Sequence, residues 1–408
     1  MALVLVLIYE TRPQSEWRPY IDILPREFDT LMFWSPEELA VLEGSAVLGK
    51  IGRGEAEEEF RSILIPLLNT HRKHFQDTEI SFDETSGEVI ESTLLSCAHR
   101  MASCIMSYSF DIRIFPQNYC PSNNGDSNSE SDADDEEIEH YKAMVPLADL
   151  LNADSDKSNA RLFQCPTYLS MSSLCHIPTQ AQLYNDYGPL PRSDLLRRYG
   201  YLTPGYAQYD VVELKGDLIT EVVLKMHNPT LDYTEKLTRL ELLIDEEMLE
   251  DTFDLLVPDP ELGPKNIPTE WAGIYYVLTL PQGAEPKLPS SQKTLKRIGK
   301  TRGYKSCVLE ILKARRAMYP QIDKFPLETV SERTRRRIDM ALQVRESEVA
   351  ILEELVREVE EWEVEDEVRD ASAGAKAGSG VGESEGTTGM KRKEGGITDN
   401  YSRKRAKN

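Results

Sequence analysis

The spacing of apolar residues changes character twice along this chain, and that change limits the architectures open to it. Before residue 120, EEEFRSILIPLLNTHRKHF and STLLSCAHRMASCIMSYSF place apolar residues at i, i+3 and i+4, the spacing of one helix face. From about residue 231 the helical spacing returns in LDYTEKLTRLELLIDEEMLEDTF, TEWAGIYYVLTL and KSCVLEILKARRAMY. Between them, 143–201 carries short strand-like runs (ARLFQ, YLSMSSLCHI and AQLYNDYG) with turns at Pro166-Thr167 and Pro178-Thr179. A long helix is expected from about Ser331 to Glu365, with the stripe Ile338, Leu342, Val349, Leu352, Val356 and Val359 facing other helices. PRSDLLRRYGY reads as a short helix with Ser193 at its N-cap and Arg197 and Arg198 in its last turn. The expected class is α+β.

The 408 residues are 40% hydrophobic, enough apolar material for two or three domains. The formal charge of −23, from 70 acidic and 47 basic residues, repels nucleic-acid phosphate and suits a basic protein partner. Direct nucleic-acid binding is therefore not expected. Six scattered cysteines without a CxxC pair give no zinc-site spacing and fit a reducing compartment, so no metal is expected. The start MALVLVLIYE lacks the basic flank and cleavage site of a signal peptide, and no run has the roughly 18 apolar residues of a membrane span. The acidic stretch SNNGDSNSESDADDEEIEH, 122–140, reads as a solvated loop. After Asp370 the composition collapses to small and charged residues, which reads as a disordered tail. Its basic clusters at 391–393 and 403–407 suggest nuclear import, with presence in the cytoplasm as well.

Two Tyr-Gly steps, Tyr187-Gly188 and Tyr199-Gly200, stand twelve residues apart around the short helix. Upstream, in VPLADLLNADSDKSNARL, Asn152 sits where the apolar pattern stops. Taken singly, Asn152 reads as a helix cap or Asx turn, and each Tyr-Gly as a turn with a half-buried aromatic. In this order the motifs resemble the C-terminal half of a SET domain. LIYETRPQSEWRPYIDILP, LMFWSPEEL and IMSYSF resemble the helical insertion of one SET branch, that of Rubisco large-subunit methyltransferase, and most of all its fungal ribosomal lysine methyltransferase group. The resemblance covers roughly residues 1–365.

The resemblance implies a SET-domain β-fold with a pseudoknot and a large helical insertion, followed by an all-α substrate-binding domain. The boundaries are 1–120 for the insertion, 121–142 for the acidic loop, 143–205 for the C-terminal half of the SET domain, 206–369 for the helical domain and 370–408 for the tail. It implies S-adenosylmethionine-dependent methylation of a lysine on a protein, a ribosomal protein being the expected substrate, by a monomer. Tyr187 would be the catalytic tyrosine beside the transferring methyl. Asn152, Ala153, Tyr199 and Tyr108 would bind the cofactor, with Ala153 standing where the family usually has histidine. Ser107, Tyr108 and Asp149 would offer backbone carbonyls to the substrate amine. Trp34 reads equally as a substrate-groove residue or as ordinary core, and Tyr201 as packing. The family's Gly-x-Gly turn should precede the insertion, whereas Gly52-Arg53-Gly54 lies inside it. The N-terminal part of the SET domain is therefore expected to be missing, leaving a truncated and impaired enzyme. The competing expectation is a SET-derived module that binds a basic protein without catalysis.

Overall fold

The computed structural model describes residues 1–115, 139–259, 266–321 and 330–365. The acidic stretch up to residue 138 and both basic tail clusters lie outside them. In the first third, α1 (Ala2–Tyr9) and α2 (Arg18–Ile21) lead to α3 (Pro36–Ala40), which starts in a capping box of Ser35 and Glu38. Helix α4 (Arg53–Glu59) runs through a π turn, Phe60–Leu64, into α5 (Ile65–Thr70). Pro66 has no N–H to continue the α ladder, and the wider turn just before it absorbs that break. After α6 (Arg72–Phe75) comes α7 (Glu91–Tyr108), which buries Leu94, Cys97, Ala98, Met101 and Cys104 against Val4, Leu7 and Ile8 of α1.

The middle third holds three two-stranded pairings rather than one broad sheet. Strand β1 (Ser109–Arg113) pairs antiparallel with β2 (His140–Met144), so the last residues assigned to the acidic loop are strand. Strand β3 (Asn152–Ala153) will matter below; β4 (Ala160–Cys165) and β5 (Tyr168–Ser173) form an antiparallel pair. Strand β6 (Tyr184–Asn185) pairs parallel with β3, Asn152 opposite Tyr184 and Ala153 opposite Asn185. Helix α8 (Arg192–Tyr199) follows. Its N-cap is Pro191, not Ser193, because the Arg192 backbone N–H is already held at 2.8 Å by the distant Asp210 carboxylate. Gly200 closes the helix at φ 75°, and an added Cβ there would lie 2.6 Å from the Asp29 carbonyl carbon. Only glycine tolerates both that conformation and that approach.

The last part is not all-α. Strand β7 (Val211–Lys215) precedes α9 (Gly216–His227) and α10 (Tyr233–Asp245), then pairs antiparallel with β8 (Thr252–Leu256). Alternation of Val212 and Leu214 with Phe253 and Leu255 buries one face of this pair, a short β pattern hidden inside a run with helical composition. Then come α11 (Glu270–Leu278), α12 (Gln292–Ile298), α13 (Arg302–Ala317) and α14 (Glu332–Glu361), the last capped by Ser331. The buried line of α14 runs through Ile338, Ala341, Val344, Glu348, Ile351, Leu352, Leu355 and Val359, while Leu342, Val349 and Val356 sit at its margins. The line is broader than the expected stripe because α14 packs on two bodies. Ile338, Ala341 and Val344 share a core with Trp34, Leu42 and Leu196, whereas Ile351, Leu352 and Leu355 join the α9–α11–α13 core.

Candidate active site

The parallel β3–β6 bridge gathers what the sequence keeps more than thirty residues apart. Past it, Asp154 N–H donates to the Asn185 carbonyl at 3.1 Å, and Asn159 N–H to the Tyr184 carbonyl at 3.0 Å. Asn152 is exposed and Ala153 buried on the same short strand. Two residues beyond β6, the Tyr187 ring stacks on Tyr199, centroids 4.0 Å apart and planes within 10°. Tyr201 meets Tyr199 edge-on at 6.4 Å, and its hydroxyl donates to the Ala153 carbonyl at 3.0 Å. Tyr201 is thus more than packing: it ties the α8 end to the Asn152 strand.

The turn carrying Tyr187 is fixed from behind by residues the sequence did not point to. The fully buried Tyr206 hydroxyl donates to Asp186 Oδ1 at 2.9 Å and accepts from the Tyr187 N–H at 3.2 Å. Gly188 N–H also reaches Asp186 Oδ1, at 3.1 Å. On the other side, the Ser107 hydroxyl donates to the Arg198 carbonyl at 2.6 Å, joining the ends of α7 and α8. Tyr108 follows as the last residue of α7, packed at the edge of the α1–α7 core. The Tyr20 hydroxyl donates to Asp149 Oδ2 at 2.5 Å.

Burial dominates the electrostatics. It raises the Tyr187 phenol far above its ordinary value, and the nearby Tyr201, Tyr199, Tyr108 and Tyr206 phenols raise it further. Burial likewise pushes Tyr199 to about 12 and raises Tyr108, the latter with help from Cys104 and Asp149. These phenols stay neutral across the physiological range, so none of them is a base. What they present is aromatic faces, hydroxyls and backbone carbonyls in a poorly solvated place. Aromatic faces attract an onium cation, and carbonyls accept from an amine.

Six of the expected residues are therefore gathered around one cluster: Tyr187, Tyr199, Asn152, Ala153, Ser107 and Tyr108. Asp149 stands in the turn leading into β3. Trp34 is elsewhere. It is 2% exposed, donates its ring N–H to the Asp29 carbonyl at 2.8 Å, and packs among Leu31, Leu42, Leu196 and Ile338, with the Arg337 guanidinium over its ring at 5.8 Å. Of its two readings the core one describes it. Gly52, at φ 63°, begins α4, and Arg53 pairs with Glu57 at 3.2 Å; neither joins the tyrosine cluster. Among the described residues no group of three or more His, Cys, Asp or Glu could hold a metal, and no helix is long and apolar enough to cross a membrane.

This architecture is the SET-domain fold. The chain overlays Rubisco LSMT bound to AdoMet with a TM-score of 0.52, at 16% identity, over 88% of this chain and 74% of that one. The LSMT SET domain bound to lysine and AdoHcy gives 0.51 at 17% identity, covering 88% and 73%. In sequence, the chain is similar to lysine N-methyltransferases. It is 31% identical over 268 residues to ribosomal lysine N-methyltransferase 4 of Saccharomyces cerevisiae, spanning 62% of this chain and 51% of that protein. The Schizosaccharomyces pombe protein of the same name is 26% identical over 299 residues, 61% of this chain and 59% of that one. The N-lysine methyltransferase setd6 of Xenopus laevis is 30% identical over 208 residues, 50% and 40%. The chain thus spans about half the length of the curated relatives it matches. No family model matches it.

Proposed function

We propose that this chain forms the lysine channel and one wall of the cofactor site of an S-adenosylmethionine-dependent protein-lysine N-methyltransferase. The observation that carries the reading is the Tyr187–Tyr199 stack, held beside the Asn152–Ala153 strand by the β3–β6 bridge and the Tyr201–Ala153 hydrogen bond. The relatives are named for lysine N-methylation, two of them for ribosomal protein, and the structural neighbours hold AdoMet, AdoHcy or lysine. A lysine of a ribosomal protein is accordingly the proposed substrate, and the charge of −23 suits a basic partner.

S-Adenosylmethionine supplies, when bound, a methyl group on a positively charged sulfur. The Tyr199 ring face suits that charge, and Asn152 with the Ala153 backbone would hold the rest of the molecule. The chain's own contribution to methyl transfer would be alignment and an environment in which the lysine gives up its proton to solvent before it reacts. Only a neutral amine attacks carbon, and a poorly solvated channel, which Tyr187 and Tyr108 would line, would lower a lysine's pKa by disfavouring the ammonium. The backbone carbonyls of Ser107, Tyr108 and Asp149 would accept from the remaining amine N–H groups and aim the lone pair. The Tyr187 hydroxyl would stand beside the reacting carbon. Alignment of this kind is worth as much as about 7–11 kcal/mol. The basic clusters at 391–393 and 403–407 support nuclear localisation, which transfer of residues 385–408 to a cytoplasmic reporter tests directly.

Calorimetric titration with S-adenosylmethionine tests the site. Micromolar binding, weakened roughly tenfold by Tyr199→Ala, is the expected result for loss of one onium–aromatic contact. Folded protein that binds no cofactor but retains a basic ribosomal protein would instead favour the non-catalytic binding module.

A further inference from the structure

Tyr20 and Asp149 lie 129 residues apart, yet the phenol of one donates to the carboxylate of the other at 2.5 Å. Asp149 is 5% exposed, and its second oxygen, Oδ1, is buried without a hydrogen-bond partner. The aspartate belongs to a single tight turn, Ala148–Leu150, that delivers the chain into β3. Leu147, at the entrance of that turn, has φ 77° and ψ −43°. A branched side chain in this region is strained, and it persists only where the surroundings hold it.

Apolar burial holds it only through the small Ala148, 7% exposed, since Leu147 is 75% exposed and Leu150 51%. The turn has three backbone bonds of its own, from Asp149 N–H to the Val145 carbonyl (3.1 Å), Leu150 N–H to Leu147 (3.3 Å) and Leu151 N–H to Ala148 (3.3 Å). Among the described residues, its one side-chain hydrogen bond to a distant part of the chain is that of the Asp149 carboxylate with Tyr20. Burial raises the Asp149 pKa, while the Tyr20 hydroxyl favours the charged form. Burial, and then Asp149 itself, raise the Tyr20 phenol far above its ordinary value, so Tyr20 stays a donor at every physiological pH.

We propose that Tyr20 is a positioning residue: through Asp149 it holds the strained Leu147–Leu151 turn in shape, and so places the Asp149 carbonyl and the Asn152–Ala153 strand opposite β6. What the turn presents to substrate rests on the methyltransferase reading; the holding role rests on the contacts alone.

Hydrogen exchange on the full chain separates the two. Tyr20→Phe removes only the hydroxyl. The Asp149, Leu150 and Leu151 amides are expected to exchange about ten- to hundredfold faster, the factor for one hydrogen bond to a charged acceptor, with α13 and α14 amides unchanged. With label from S-adenosylmethionine and purified ribosomal protein as probe, kcat should fall by about tenfold while KM stays within about twofold, because alignment rather than binding is lost. Unchanged exchange in the turn overturns the proposal. So does equal acceleration throughout the molecule, which would make Tyr20 merely a contributor to global stability. If the turn loosens as expected but wild-type protein labels no lysine, the methyltransferase reading fails and the holding role stands. Asp149→Asn keeps an acceptor for the hydroxyl and removes the charge. Its turn should exchange faster than wild type but less so than in Tyr20→Phe, and protection lost beyond that of Tyr20→Phe would show that the carboxylate holds the turn without the Tyr20 bond.

Discussion

The tyrosine cluster and the seam along α14 both bury polar groups, but they do so in opposite ways. At the seam the carboxylates are each held by arginine or hydroxyl donors. Asp29 accepts from Arg333 at 2.7 Å and Arg337 at 3.0 Å, and pairs also with Arg336. Arg337 further holds Glu38 at 2.8 Å and the Phe33 carbonyl at 3.1 Å. Lower down, Glu348 accepts from Ser45 at 2.8 Å and Tyr319 at 2.9 Å, with Arg315 behind Tyr319 at 3.0 Å. At the cluster the groups are neutral phenols, and Asp149 Oδ1, Ser155 Oγ and Thr203 Oγ1 are buried without hydrogen-bond partners. A seam whose carboxylates are already held has little left to offer a ligand and serves as scaffold. A neutral, under-partnered cluster retains the capacity to bind.

That contrast breaks first, if it is wrong, at Arg337. Arg337→Ala strands Glu38 and leaves Asp29 short of a partner, so urea denaturation should show a loss of about 3–5 kcal/mol. A loss below about 1 kcal/mol would mean the seam is not scaffold. Glu348 comes next. Burial raises its carboxyl to about 7, above its ordinary value of 4.5. A raised folded-state pKa means that the folded protein binds more protons between about pH 4.5 and 7. The group's contribution therefore favours folding below that window and declines as pH rises through it, by an amount on the order of 3 kcal/mol. Glu348→Gln should remove this slope, so the variant gains on wild type from pH 5 to pH 8; parallel stability curves would refute the assignment. At the cluster, Tyr187→Phe should leave stability within about 0.5 kcal/mol while slowing methyl transfer by tenfold or more, as loss of a hydroxyl beside the reacting atoms does. Equal loss of stability and rate would return Tyr187 to the scaffold. The smallest effect belongs to the exposed Lys300–Glu365 pair, at 2.7 Å. Lys300→Ala should change stability by no more than about 0.5 kcal/mol, and a larger loss would show that burial is not what separates the seam from ordinary surface pairs.

Much of the candidate site could be read before the fold was in view, because the motifs whose order carries the family resemblance are marked by local punctuation. Asn152 follows an apolar run, and Tyr187 and Tyr199 each precede a glycine that adopts a positive φ, 80° at Gly188 and 75° at Gly200. Such signals lie within a few residues of one another. Tyr206, Asp186 and Tyr20 gave none, since each matters through a partner that chain distance hides. Trp34 shows the converse. An aromatic in a recognisable motif was open to two readings, and its burial against Leu196 and Ile338 decided between them.

The sequence by itself determined the α+β class, the order of helical and strand-bearing regions, and the turns at the two Tyr-Gly steps. These depend on periodicity and on glycine's conformational freedom, which act over a turn or two. The tertiary structure alone decided that Asn152 faces Tyr184 across a parallel bridge, that Asp29 is enclosed by arginines about 308 residues away, and that Tyr20 reaches Asp149. Those pairings are chosen by which buried donor can find an acceptor once the chain has collapsed. That satisfaction is a property of the whole packed interior, and no short window of sequence encodes it.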